Sequence, residues 1–289
     1  MLIRQWSCFL LLFVFIFGKA KEGFAQESLD HIADSILAEG KLLYVSERTS
    51  WDGTDLFLAK FTEREKLGGY FSYADKDTLK CIFYSKDQSP LVLGSVSFDS
   101  TWATDRAIVD LVPRAFTTTE QAFYQIRSKA LDLIKTDTFF KAYQNTDFNL
   151  IPIISEGKRR VVVLTGPKQN GVIIFGNDYE LQFDEQNEIT SKRKLHQNIL
   201  PSNYGGNSQD GVRSTGGFHN HSSETGPFIT PTDICTLMLY EKIAKWETYT
   251  VMSKDFVSSW DCSKDQMVIL TMKAWNRIIK DQEKRHGNP

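Results

Sequence analysis

The chain has 289 residues, of which 41% are hydrophobic and 24% are charged, and its formal net charge is −2. This composition is typical of a globular protein with enough apolar residues for a core in one large domain or two ordinary ones. A charge so close to zero excludes the basic footprint that binding to nucleic acid or to an anionic membrane would require.

The first 25 residues have the order of regions found in a secretory signal. Arg4 is followed by an apolar stretch from Cys8 to Phe17 and then by small residues, and this stretch is shorter than the ~20 residues of a membrane-spanning helix. We predict cleavage after Ala25, with Ala20 as a second site. The mature protein is then exported, periplasmic or extracellular, and has no stable membrane span. An uncleaved N-terminal anchor is the alternative.

The mature chain keeps three cysteines, Cys81, Cys235 and Cys262. An odd number of cysteines is not a disulfide framework. A single bridge, such as Cys235 to Cys262, would suit an oxidising compartment. Buried free thiols explain the three residues equally well.

Residues 26–150 are predicted to form an α+β domain of unknown role. Gly40 is predicted to end a first amphipathic helix whose apolar residues recur at helical spacing: Leu29, Ile32, Ala33, Ile36 and Leu37. Five aromatic and β-branched runs separated by turn residues predict strands: KLLYVSE, DLFLAKF, GGYFSYA, LKCIFYS and LVLGSVSF. A second helix is opened by a capping box of Thr117 and Glu120. The region contains no catalytic motif, and Trp51 and Trp102 are predicted to be core or interface residues.

The segment YQNTDFNLIPIISEG is the predicted boundary to a second region, residues 151–289. The runs RRVVVLTG and GVIIFGNDYELQF, joined by PKQN, predict two strands in a hairpin. A polar, glycine-rich loop at residues 198–217 follows, and loops of this length are often functional or mobile. A strand with two histidines, an apolar helix, further strands and a basic end complete the region. The chain as a whole is therefore predicted to have an α+β fold.

The stretch GFHNHSSETGPFITPTDI carries the chemistry of the second region. Residues two apart on a strand face the same side, so His219 and His221 can present both imidazoles to one zinc ion. The sequence TPTD predicts a helix N-terminus with Thr230 as the N-cap, which fixes the carboxylate of Asp233 in the first turn. Three protein ligands and one open position is the arrangement of a catalytic zinc site. A strand followed by an ordinary helix cap is the alternative.

This pattern resembles the JAMM motif of MPN-type metalloproteases, which is His-x-His, a short loop and then Ser-x-x-Asp. The resemblance covers residues 151–289 and implies an α/β domain with a mixed sheet and flanking helices. It also implies a peptidase or isopeptidase that acts on a peptide or protein substrate and holds one zinc ion per chain. The ligands would be His219, His221 and Asp233. Ser222 stands where the family often has proline, and Thr230 replaces the family's serine.

The resemblance implies further roles for three residues. Thr230 would donate a hydrogen bond to the oxyanion, and Glu156 would be the general base for the attacking water. A solvated loop position is the alternative for Glu156, and Glu180 is a second candidate for the base. His196 could replace Asp233 as a ligand if Asp233 only caps the helix. The competing function is a non-catalytic binding or scaffold protein with a degenerate or structural metal site.

Overall fold

A computed structural model describes the backbone of residues 6–204 and 215–286, with side chains from residue 28 to residue 285 outside the same gap. Its helices and antiparallel and mixed sheets confirm the α+β class. The chain divides into two compact units. Unit 1 comprises Met1–Glu39, Thr215–Ile229 and Trp246–Pro289, and unit 2 comprises Gly40–Ser214 and Thr230–Lys245. These limits differ from the predicted domains 26–150 and 151–289, which stay a prediction.

Four α-helices, two short 3₁₀ helices and fourteen strands make up the described part of the chain. The α-helices are α1 (Trp6–Leu58), α2 (Thr118–Thr136), α3 (Pro231–Ala244) and α4 (Met272–His286), and the 3₁₀ helices are Arg64–Lys66 and Thr104–Arg106. The first seven strands are β1 (Leu67–Asp75), β2 (Thr78–Ser85), β3 (Val92–Phe98), β4 (Ile108–Asp110), β5 (Thr146–Ser155), β6 (Lys158–Pro167) and β7 (Val172–Gly176). The others are β8 (Tyr179–Phe183), β9 (Ile189–Lys194), β10 (Ile199–Asn203), β11 (Gly216–Asn220), β12 (Thr248–Met252), β13 (Phe256–Asp261) and β14 (Gln266–Thr271).

Helix α1 does not end at Gly40, and the two strands predicted from KLLYVSE and DLFLAKF are wrong. Leu43, Ser50 and Phe57 are buried at intervals of seven residues, which is a helical period. Gly40 does not end the helix but allows α3 to approach α1 closely, because a Cβ atom there would lie 2.5 Å from the Cγ2 atom of Ile234 on α3. Short apolar runs do not distinguish a strand from a buried helix segment, which explains the error.

The first sheet of unit 2 has the strand order β1-β2-β3-β4 and is antiparallel throughout. Its first three strands confirm the predictions from GGYFSYA, LKCIFYS and LVLGSVSF. Helix α2 confirms the capping box, since the Thr117 side chain accepts from the amide of Glu120 and the Glu120 side chain accepts from the amide of Thr117. The buried side chains of Ile126 and Ala130 on α2 pack with those of β6 and β8 in one core cluster.

The second sheet of unit 2 has the order β5-β6-β8-β9, and β7 pairs with β10 outside it. The predicted boundary segment therefore contains strand β5. The predicted second hairpin strand is divided at Gly176 and Asn177, whose φ angles are 80° and 57°. A Cβ atom on Gly176 would lie 2.3 Å from the carbonyl oxygen of Asn198, so this turn requires glycine. Only the second half of the run, β8, pairs with β6.

Unit 1 contains a mixed sheet of order β11-β12-β13-β14, in which β11 runs parallel to β12 and the other pairs are antiparallel. One core cluster of this unit joins Leu29 and Ala33 of α1 to Ile269 of β14. The parallel pair matters for the site, because β11 carries the first of the paired histidines.

Three further predictions concern export, the long loop and the cysteines. The side chains of the predicted signal, residues 1–25, and residues 205–214 of the 198–217 loop lie outside the described residues. Among the helices that the structure describes, none has the length and apolar character needed to cross a membrane. Cys81, Cys235 and Cys262 are buried, and Cys81 and Cys235 are free thiols, as one of the two predicted alternatives expects.

Candidate metal centre

The paired histidines lie at the end of strand β11 and turn their rings to the same side. Their Nε2 atoms are 2.9 Å apart and both residues are buried, while Asn220 between them is exposed. Pairing with β12 extends the backbone up to this point, with His219 opposite Val251. The prediction that period two places both imidazoles on one side is confirmed.

Each imidazole is also held through its second nitrogen. The Nδ1 atom of His219 is 3.1 Å from the hydroxyl oxygen of Tyr249, and the Nδ1 atom of His221 is 2.8 Å from the carbonyl oxygen of Phe228. A carbonyl oxygen only accepts, so the Nδ1 of His221 carries the proton and its Nε2 presents a lone pair. This fixing of the outer nitrogen is what metal-binding histidines show.

The hydrogen bonds of the pair form a consistent set without a metal ion. If the Tyr249 hydroxyl donates to Nδ1 of His219, the Nε2–H of His219 donates to the lone pair of His221. If the Tyr249 hydroxyl accepts instead, both Nε2 atoms present lone pairs to each other. That second arrangement needs a metal ion or an added proton, because two lone pairs 2.9 Å apart repel each other.

Asp233 occupies the first turn of α3 as predicted, in a capping box with Thr230. Its Oδ2 atom accepts from the Thr230 amide at 2.9 Å and from the Thr230 hydroxyl at 2.7 Å. Its Oδ1 atom lies 3.4 Å from Nε2 of His196. The cap therefore uses one carboxylate oxygen, and a helix cap and a metal ligand are not alternatives for this residue.

His196 lies between two buried carboxylates of unit 2. Its Nδ1 atom is 3.2 Å from Oδ2 of Asp178, and Asp233 faces its other nitrogen. Burial alone lowers the pKa of His196, but the two carboxylates outweigh burial and raise that pKa to about 10. The two neighbouring carboxyl groups therefore favour the protonated form of the ring, although burial raises the pKa of Asp178 itself.

Sequence reasoning missed Asp178, which fixes the ring of His196. Asp178 also accepts at Oδ1 from the backbone amide of Thr165, at 3.0 Å. The only signal in the sequence is a polar Asn-Asp pair that interrupts an apolar run. This interruption is where β7 ends and β8 begins, so a turn explains it as well as a functional carboxylate does.

Three buried side chains could each offer one ligand atom to a metal ion: His196 and Asp233 of unit 2 and His221 of unit 1. Two imidazole nitrogens and one carboxylate oxygen suit zinc. The same set suits Fe(II) in its two-histidine, one-carboxylate form. His219 is the predicted ligand that falls outside this group, although its Nε2 contacts that of His221.

Glu156, the predicted general base, lies at the turn between β5 and β6. It is exposed, and its φ of 50° and the φ of 74° at Gly157 are the left-handed values of a two-residue hairpin turn. The residue types Glu-Gly are thus explained by the turn itself. This position matches the solvated alternative, and the catalytic role of Glu156 stays a prediction.

Glu180, the second candidate for the base, is buried on β8. Arg160 and Arg193 form ion pairs with it at 3.3 Å and 3.0 Å. Burial raises the pKa of Glu180, but hydrogen bonds from Arg193 and Gln182 outweigh burial, so the pKa is lowered. A carboxylate held in this way is a poor proton acceptor.

The cap at Thr230 gives a direct prediction. We expect Thr230→Ala to lower the free energy of unfolding by about 1 kcal/mol, because the N-cap acceptor is lost. Urea denaturation measures the change, and Thr230→Ser should retain nearly all of the stability. Thr117→Ala, which removes the cap of the other Thr-initiated capping box, is the matched control. We expect Thr117→Ala to lower the free energy of unfolding by a similar amount without changing metal binding.

That prediction also bears on the proposed oxyanion role. A threonine hydroxyl has one proton, and Thr230 donates it to Oδ2 of Asp233. Donation to an oxyanion would require this hydrogen bond to break. A Thr230→Ala variant with unchanged stability would show that the cap does not stabilise α3.

Comparison of the chain with family models, with curated proteins and with solved structures gives no match.

Proposed function

We propose that the protein is an exported metal-dependent hydrolase that cleaves peptide or isopeptide bonds. The observation that carries the proposal is the histidine pair, in which Tyr249 and Phe228 hold the outer ring nitrogens while both Nε2 atoms meet at 2.9 Å. Core packing alone does not require two imidazoles to be oriented in this way. The resemblance of the motif to JAMM metalloproteases suggests the reaction.

The donor set fits zinc. The motif suggests His219, His221 and Asp233 as the ligands, and His196 is a further candidate donor beside Asp233. Asp233 is positioned by its cap, so its orientation does not depend on a bound ion. When bound, zinc polarises a substrate carbonyl and lowers the pKa of water to about 7.

The residues of the chain have separate tasks in this proposal. The Phe228 carbonyl keeps the proton of His221 on Nδ1, so that the Nε2 lone pair is available. The Tyr249 hydroxyl orients the ring of His219. Asp178 holds Nδ1 of His196. Glu156 enters only through its position in the sequence, and Glu156→Gln tests whether it moves a proton during the reaction.

The test is hydrolysis by the mature chain, residues 26–289, after removal of metal and again after zinc is restored. Fluorogenic peptides and a lysine-linked isopeptide are suitable substrates. We expect cleavage that disappears on depletion and returns with zinc. Equal cleavage in both forms would contradict the proposal, as would loss that zinc does not reverse in a protein shown by circular dichroism to be folded.

A structural metal site is the second candidate, and one observation favours it. His196 lies next to Asp233 in unit 2, and His219 lies next to His221 in unit 1, so each unit offers two donors. Four protein ligands leave no open position, which is typical of structural zinc. In that case zinc would raise the unfolding temperature without any hydrolysis, and the protein would be a binding or scaffold protein.

A further inference from the structure

A second feature of unit 2 is a cleft of about 210 Å³ that contains none of the candidate metal ligands. Five of its lining residues come from one face of α1: Glu47, Ser50, Trp51, Thr54 and Asp55. Their spacing of three, four, seven and eight residues from Glu47 places them along one side of the helix. Tyr70 of β1 and Asn149 of β5 complete the wall. We refer to this feature as the α1 cleft.

The lining of the α1 cleft has one sign of charge. Glu47 and Asp55 carry carboxyl groups, and no lining residue carries a positive charge. The remaining polar groups are three hydroxyls and one amide, all of which can accept a hydrogen bond, and the indole N–H of Trp51, which only donates. A ligand that offers several N–H donors and a positive charge complements this set, whereas an anion does not.

Glu47 is the inner carboxyl of the α1 cleft. Burial raises its pKa to about 7, against smaller opposing effects of Arg127 and of a hydrogen bond with Asn149. Arg127 is engaged elsewhere, since its guanidinium donates to the Tyr84 hydroxyl at 2.9 Å and lies 5.4 Å from the centre of the Tyr70 ring. Glu47 is thus a carboxyl that a cation from outside the chain would stabilise.

Trp51 gives the cleft an aromatic surface. Its side chain is 40% exposed although it is held by neighbours, with the Arg48 guanidinium 5.6 Å from the ring centre and the Tyr240 ring at 6.2 Å. Arg48 also forms an ion pair with Asp52 at 2.8 Å. A large exposed indole in a fixed position is suited to contact with a cation or an aliphatic chain.

The spacing of the carboxyls excludes a small ion as the shared ligand. Glu47 and Asp55 are eight residues apart on a helix, which is roughly 12 Å along its axis. A metal ion takes its ligands at about 2 to 2.6 Å and cannot be bound by both carboxylates. An elongated cation can place its charged end at Glu47 and extend past Trp51 toward the exposed Asp55.

We propose that the α1 cleft binds an alkylammonium group. Two sources share this chemistry, the side chain of a lysine in a polypeptide and a free aliphatic amine. The inference does not depend on the proposed hydrolase function, because the cleft and its residues are separate from the candidate metal ligands.

Isothermal titration calorimetry of the mature chain tests this inference with three probes. These are a capped Ala-Lys-Ala peptide, the same peptide acetylated on the lysine side chain, and pentane-1,5-diamine. We expect the charged peptide to bind at least about tenfold more tightly than the acetylated one, because a charge-assisted hydrogen bond is lost. Tighter binding of the diamine would identify a free amine as the source, and tighter binding of the peptide would identify a lysine side chain.

Two variants and one control locate the binding. Glu47→Gln should weaken binding of the charged peptide by at least about tenfold, and Asp55→Asn, at an exposed position, by about threefold. Glu65→Gln, at an exposed carboxyl elsewhere in unit 2, should bind as the unchanged protein does. Equal affinity for both peptides would overturn the inference. Unchanged binding of the charged peptide in both Glu47→Gln and Asp55→Asn would also overturn the inference, as would no binding of the charged peptide or the diamine at millimolar concentration.

Discussion

Replacement of His221 by alanine is expected to reduce bound zinc from about one equivalent per chain to background. His221 belongs to the ligand set that the motif suggests, and it is also one of the three buried candidate donors, which are His196, His221 and Asp233. Its ring is fixed by the hydrogen bond to Phe228, so the substitution removes an imidazole that is already positioned. Loss of one ligand should weaken zinc affinity by at least about 100-fold.

The measurement is elemental analysis after exposure to zinc and removal of the excess. His31→Ala, at an exposed histidine on α1, is the matched control and should retain zinc. Tyr249→Phe removes only the hydroxyl that orients His219, so we expect a smaller effect, about tenfold in affinity. Full zinc content in the His221→Ala protein would rule out this residue as a ligand.

Parallel variants decide which third ligand is used. His219→Ala should abolish zinc binding if the set is the one that the motif suggests, and His196→Ala should do so if the set is the buried group. Loss in both variants indicates that both histidines are ligands, either beside Asp233 in a four-ligand structural site or with His196 in place of Asp233. Retention in both would contradict every ligand set considered for this protein.

The second large effect is expected at Gly40. A Gly→Ala change in a helix interior normally stabilises a protein by up to about 1 kcal/mol, because alanine is the better helix former. Here the added Cβ would lie 2.5 Å and 2.6 Å from Cγ2 and Cβ of Ile234 and 3.1 Å from the carbonyl oxygen of Pro231. Ile234 is fully buried and β-branched, so it cannot turn away. We expect Gly40→Ala to destabilise by about 1 to 3 kcal/mol.

A double-mutant cycle with Ile234→Ala separates the contact from helix propensity. If the clash is the cause, the double variant should lose less free energy of unfolding than the two single changes together. Lys41→Ala, an exposed neighbour on α1, controls for the helix itself. Stabilisation by Gly40→Ala would show that α1 and α3 are not in close contact at this point. Because Pro231 and Ile234 flank Asp233, we also expect weaker zinc binding in Gly40→Ala.

Local patterns determined much of the fold. The capping boxes at Thr117 and Thr230 were predictable because both partners lie within one helical turn. Strands β1 to β3 were predictable because runs of aromatic and β-branched residues are separated by turn residues. The predictions from the sequence failed where tertiary contacts determine the backbone. Gly40 lies inside a helix at a close contact with α3, and Gly176 lies at a turn that divides one apolar run into two strands.

In the candidate site too, some features were predictable from the local sequence and others depend on tertiary contacts. The sequence by itself determined that His219 and His221 face one side and that Asp233 is held in a first helical turn, since strand period and capping act over a few residues. Only the tertiary structure decided that the hydroxyl of Tyr249, 30 residues away, holds His219, and that Asp178, 18 residues away, holds His196. It also placed Glu156 in an exposed turn. Such partners are set by the packing of distant strands, and no local pattern records them.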